Sequence, residues 1–130
     1  MTIKTFAKAA LAAAALAATA TTASAWGFDI CEDVTMRFHN NTGAAIQIYD
    51  VDYYDYGQGI WRSEPFENRV IQDGYYFSFT RNLEDVENAD TLLRVRYRTT
   101  NGSGQWRGNH RAQGNTFTCR HNSTANVYIR

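Results

Sequence analysis

Residues 91–99 read TLLRVRYRT, and their alternation decides the fold. Leu93, Val95 and Tyr97 fall on one side of an extended chain, and Arg94, Arg96 and Arg98 fall on the other. A period of two over this length marks a strand with one face buried and one in water. The same alternation recurs along the chain. Val34, Met36 and Phe38 oppose Thr35, Arg37 and His39. NNTG at 40–43 supplies turn residues that accept positive φ, and Ala44, Ile46 and Ile48 then form the next apolar face. GIWRS (59–63) and NRVIQ (68–72) are shorter strand candidates on either side of EPFE, which holds the only proline, Pro65.

Asp73-Gly74 is a hairpin turn signal. After it Tyr75, Phe77 and Phe79 share one side, and Tyr76, Ser78 and Thr80 share the other. LEDVENAD (83–90) reads as a loop or a single helical turn. NGSG (101–104) makes another turn, and QWRGNHR, NTFTCRH and NVYIR follow as further strands. About eight or nine short strands, with turn signals between them, predict an all-β domain, an antiparallel sandwich or small barrel.

The first residues predict an exported protein. MTIKTFAK carries two lysines, an alanine-rich apolar run follows, and Ala23 and Ala25 stand where a signal peptidase reads small residues. Residues 1–25 are therefore expected to be a cleaved leader of bacterial style, and 26–130 a single domain in the periplasm or outside the cell. The leader's run is too short and too weakly apolar to span a bilayer, and no second apolar run suggests a transmembrane segment. In an oxidising compartment the two cysteines, Cys31 and Cys119, are expected to form a disulfide.

Charge is unevenly spread. Both lysines lie in the leader, so residues 26–130 carry eleven arginines against thirteen acids, a net of −2. Residues 26–90 hold all the acids and four arginines, whereas 91–130 hold seven arginines and no acid. Such halves either neutralise each other by interleaving as strands or leave a bipolar surface suited to head-to-tail association. An exported, slightly acidic chain is not expected to bind nucleic acid.

The stretch YDVDYYDYGQGIW (49–61) concentrates aspartates and aromatic rings. An EF-hand beginning at Asp50 fails, because Asp55 takes the glycine position and Trp61 the bidentate glutamate position. A looser calcium site on Asp50, Asp52 and Asp55 is left open. Tyr53, Tyr54, Tyr56 and Trp61, near Gly57 and Gly59, suit a loop that presents rings to a sugar or a partner protein. Arg94, Arg96 and Arg98, widened by Arg107 and Arg111, suit carboxylates, sulfates or phosphates.

Catalysis finds little support. His39, His110 and His121 lie on separate segments, and no HExxH, CxxC or GxSxG spacing occurs. A His39–His121 metal patch would require the first and late strands to pair. Asn40, Asn101 and Asn122 begin Asn-x-Ser/Thr triplets that matter only in a glycosylating host.

The run FHNNTGAAIQI (38–48), then a tryptophan and the glycine-led strand DGYYFSF (73–79), resembles aegerolysins and other small secreted sandwiches over two or three turns. The paired cysteines are not part of that pattern, and no residue role is carried over.

The function expected from these readings is an exported, non-catalytic binding module for a polysaccharide or protein surface. Its contacts would be the 49–61 stretch and the arginine face. Self-assembly into a filament or lattice through the charged halves is the main alternative. A periplasmic hydrolase inhibitor, a lipid-headgroup binder and, last, a small secreted hydrolase follow.

Overall fold

A computed structural model describes residues 30–130; the expected leader (1–25), its cleavage point and residues 26–29 lie outside the described residues. Ten strands and no helix make up the described chain. The first, β1 (Ile30–Asn40), is central to a three-stranded sheet. It pairs antiparallel with β5 (Tyr76–Glu84) and parallel with β10 (Thr124–Ile129), giving one parallel pair in an otherwise antiparallel fold. The second sheet is built on β2 (Ile46–Asp55) and β7 (Leu93–Thr100), with β8 (Trp106–Gln113) beyond β7. Both β3 (Ile60–Glu64) and β4 (Arg69–Ile71) pair with the other edge of β2. Two-residue strands β6 (Asp90–Thr91) and β9 (Phe117–Thr118) form a small ribbon.

The alternation read from the sequence is the alternation that buries the core. Val34, Met36 and Phe38 of β1 meet Ile46, Ile48 and Val51 of β2, Leu93 and Val95 of β7, and Val127 and Ile129 of β10 in one cluster, each fully or almost fully buried. The turn after β1 is held from inside. Asn40 is completely buried, its Nδ2 donating to the carbonyls of Ala44 and Ile71 while its Oδ1 accepts from Thr42.

Asp73-Gly74 does turn the chain, with Gly74 at φ 81°. It does not make the hairpin that the dipeptide signals. β4 belongs to one sheet and β5 to the other, so this turn is the crossover between layers, anchored by the Gly74 N–H on the Asn40 carbonyl. LEDVENAD contains no helical turn: it finishes β5, bends through 85–89 with Val86 buried, and enters β6.

Cys31 and Cys119 form the expected disulfide. Cys119 also exchanges backbone hydrogen bonds with the 88–89 bend, so the bridge fastens that bend and the small ribbon to the start of β1. Closing a span of 88 positions removes freedom from the unfolded chain. Replacing both cysteines with serine is expected to lower the unfolding free energy by about 4–5 kcal/mol in the chain-entropy treatment, measured by urea denaturation under oxidising conditions.

Candidate functional site

The outer face of the five-stranded sheet gathers most of the residues singled out in the sequence. Strand register puts Asp52 opposite Arg94 and Asp50 opposite Arg96. Arg94 donates to one oxygen of Asp52 from Nε and Nη2, at 3.1 and 2.6 Å, and both side chains are nearly buried, 12% and 8% exposed. The cover is aromatic. The Arg94 guanidinium lies 4.0 Å from the centroid of Trp61, whose ring meets Tyr54 edge-on at 5.0 Å. Tyr54 meets Tyr56 at 4.7 Å, and Tyr56 is half exposed. Tyr54, Tyr56 and Trp61 are thus one aromatic patch roofing a buried ion pair, which stiffens the rings.

Toward β8 the face becomes more basic. Arg96 Nε stands 3.6 Å from Asp50, too far for a hydrogen bond, and is buried without a partner. Arg111 lies directly across from Arg96 and makes no ion pair among the described residues. Arg98 stacks 4.2 Å over the Tyr49 ring and reaches Gln47, and the Tyr49 hydroxyl donates to Asn109. Arg107 is exposed, and its side chain donates to Gln105.

Two expected roles are corrected. Tyr53 is not a presented ring: it is 4% exposed, on the core side of β2 with Val51. Its hydroxyl donates to the Glu84 carbonyl and accepts from the Glu84 N–H, each at 3.1 Å, while burial pushes its pKa up. The loose calcium site also does not form. Asp50 and Asp52 face outward, but strand parity sends Asp55 to the inner face, where Arg62 binds it at 2.7 and 2.9 Å. That contact holds the Asp55 carboxyl below its usual range. Each carboxylate faces its own arginine, and no group of three or more His, Cys, Asp or Glu able to hold a metal occurs among the described residues.

The histidines are scattered. β1 and β10 do pair, yet His39 sits at one end of β1, stacked on Tyr128 at 4.5 Å, while His121 lies 3.0 Å from Glu87 near the other end. His110 stacks on Tyr97.

The sequence reading missed a second feature. Between the β5 edge and the β3–β4 edge the sandwich opens into a groove of about 600 Å³. Phe66 plugs its depth against Phe38, Phe77 and Phe79. Arg69 stacks over Phe77 and Arg81 over Phe79, each 5.0 Å from the ring centroid. Glu64, 10% exposed and 3.5 Å from Arg81, has its pKa pushed up to about 6, because burial outweighs the attraction of Arg81 and nearby Glu84 adds to it. An isolated phenylalanine in a proline-containing link was the available signal.

Comparison with known proteins finds no family model, no curated protein and no solved structure that matches the chain, so the short likeness to aegerolysins carries no argument.

Two outcomes follow from this geometry. Arg94→Ala leaves Asp52 buried and unpaired and is expected to cost about 3 kcal/mol; in a denaturation double-mutant cycle, adding Asp52→Asn recovers part of that loss. Glu64 binds its proton more tightly folded than unfolded, so its contribution to stability is full below the unfolded value, near 4.5, and is lost as pH rises through about 6. Glu64→Gln is expected to stabilise by about 1–2 kcal/mol at pH 7.5 and by almost nothing at pH 4, read from melting curves at both.

Proposed function

We propose that the chain is an exported, non-catalytic binding module whose outer sheet face holds an anionic, hydroxyl-rich polymer, an acidic polysaccharide being the ligand class that fits best. One observation carries this reading. Arg96 and Arg111 face each other across β7 and β8 with a single carboxylate, Asp50, near them, and they adjoin an aromatic patch already stiffened by Arg94. Guanidinium groups with unused donors bind carboxylate or sulfate, and flat rings stack on sugar faces. Export rests on the leader read from the sequence, and polysaccharide is a natural partner in that compartment.

A second reading, self-assembly, is favoured by where the charges lie. β7 and β8 carry five arginines and no acid, whereas Glu32, Glu84, Asp85, Glu87 and Asp90 lie around the disulfide end. One copy's basic face could then meet another's acidic end.

Polygalacturonate, dextran sulfate and neutral dextran, titrated by calorimetry, test the first reading. Binding of an anionic polymer is expected to weaken with salt and to fall about tenfold or more in Arg96→Glu/Arg111→Glu. Equal affinity for neutral dextran, or no binding to any of the three, overturns it. Salt-sensitive oligomers on size-exclusion chromatography, lost in the same double variant, transfer the face to self-assembly instead.

A further inference from the structure

The second sheet edge invites a different partner. Among the described residues β5 pairs with β1 alone. The Asn40 N–H bonds the Tyr75 carbonyl, and with Phe38 opposite Phe77 and Met36 opposite Phe79 the odd-numbered residues of β5 bond inward to β1. The backbone groups of Tyr76, Ser78, Thr80, Asn82 and Glu84 therefore point away from the sheet. At one end this edge is closed, because the Tyr53 hydroxyl satisfies both backbone groups of Glu84. Next to it Arg81 Nη1 covers the Thr80 carbonyl. From Tyr76 to Ser78 the outward backbone groups have no hydrogen-bond partner among the described residues, and the Phe66–Phe77–Phe79 groove opens beside that stretch.

Charge says what kind of segment fits. Two of the four arginines in residues 26–90 line the groove, Arg69 over Phe77 and Arg81 over Phe79, together with Glu67, whereas Arg37 lies over Tyr76 on the opposite face of the sheet. Neither Arg37 nor Arg69 has an ion pair among the described residues, and Arg81 shares Glu64 at 3.5 Å. The Arg69 guanidinium, without an ion pair among the described residues, stands beside an apolar groove and an open strand edge, which matches an extended segment that alternates apolar and acidic residues. A second copy of this chain is a poorer match. Pairing β5 with its own image would set the Arg69 and Arg81 of one copy beside those of the other, and the strand's only acid, Glu84, lies at the end whose backbone Tyr53 already closes.

We propose that the free edge of β5 receives such a segment from a partner protein. The segment joins the three-stranded sheet as a fourth strand, seats an apolar side chain on Phe66, Phe77 and Phe79, and places a carboxylate on Arg69. The site is separate from the outer face of the other sheet.

Fluorescence anisotropy with two labelled octapeptides tests this, one alternating valine and aspartate and the other valine and lysine. The aspartate peptide is expected to bind the full exported chain at least about tenfold more tightly than the lysine peptide. Arg69→Glu is expected to remove about that tenfold preference. Ser78→Pro deletes an outward N–H that β1 does not use, so it is expected to abolish binding while the melting temperature moves by no more than about 3 °C. Equal binding of both peptides, or binding that survives Ser78→Pro in a folded variant, overturns the proposal. So does a concentration-dependent dimer that Ser78→Pro dissolves, which would make a second copy the occupant.

Discussion

The register of β2 against β7 is the constraint on which the rest of the molecule depends. It sets Val51 against Val95 inside and Asp52 against Arg94 outside, and a slip of one residue would exchange the two sets. Apolar burial fixes the parity, since Val51, Leu93 and Val95 cannot face water without losing the core they share with β1 and β10. The ion pairs then discriminate among registers of the same parity: a shift of two would put Asp52 opposite Arg96 and leave Arg94 under Trp61 without its carboxylate. A nearly buried guanidinium tolerates that poorly. One strand pairing thus orders the core, the buried salt bridge and the aromatic patch together.

Alternation made the strands legible, and the cysteines made the bridge legible. What was lost came from treating 49–61 as a loop. Its tyrosines, aspartates and glycines look like a turn, but β2 continues to Asp55 because Tyr53 and Asp55 find partners on the inner side, Glu84 and Arg62. Once the strand is extended, parity alone separates Tyr53 from Tyr54 and Asp55 from Asp50 and Asp52. Asp73-Gly74 was misread for a related reason. A tight turn specifies a reversal of direction, but which sheet receives the next strand depends on pairing with Asn40 and β1, far away in sequence.

The groove was hidden by a different degeneracy. Phe77 and Phe79 have the alternation of core residues, and on a central strand they would be core. They line an open groove because β5 has one neighbour among the described residues, and the number of neighbours a strand acquires is a tertiary property with no local trace. The spread of charge had the same ambiguity. Interleaving of β2 with β7 neutralises part of the arginine-rich half, as Asp50 and Asp52 show, but β8 lies beyond the reach of those acids and its arginines have no ion pair among the described residues.

The absence of lysine from residues 26–130 gains a physical sense from this arrangement. Among the described residues six arginines lie over aromatic rings: Arg37, Arg69, Arg81, Arg94, Arg98 and Arg130. A guanidinium stacked on a ring is held flat while its edge donors stay available to a carboxylate, as Arg94 does beneath Trp61 and above Asp52. An ammonium is a compact, strongly hydrated charge and does not present a planar fork in this way. Replacing Arg94 with lysine would keep the charge and lose the double donation to Asp52. Arginine on aromatic is therefore the unit from which both sheet surfaces are made. The two surfaces differ in what the unit faces: the β2 carboxylates Asp50 and Asp52 beneath the β7 arginines, and a strand edge open among the described residues on β5.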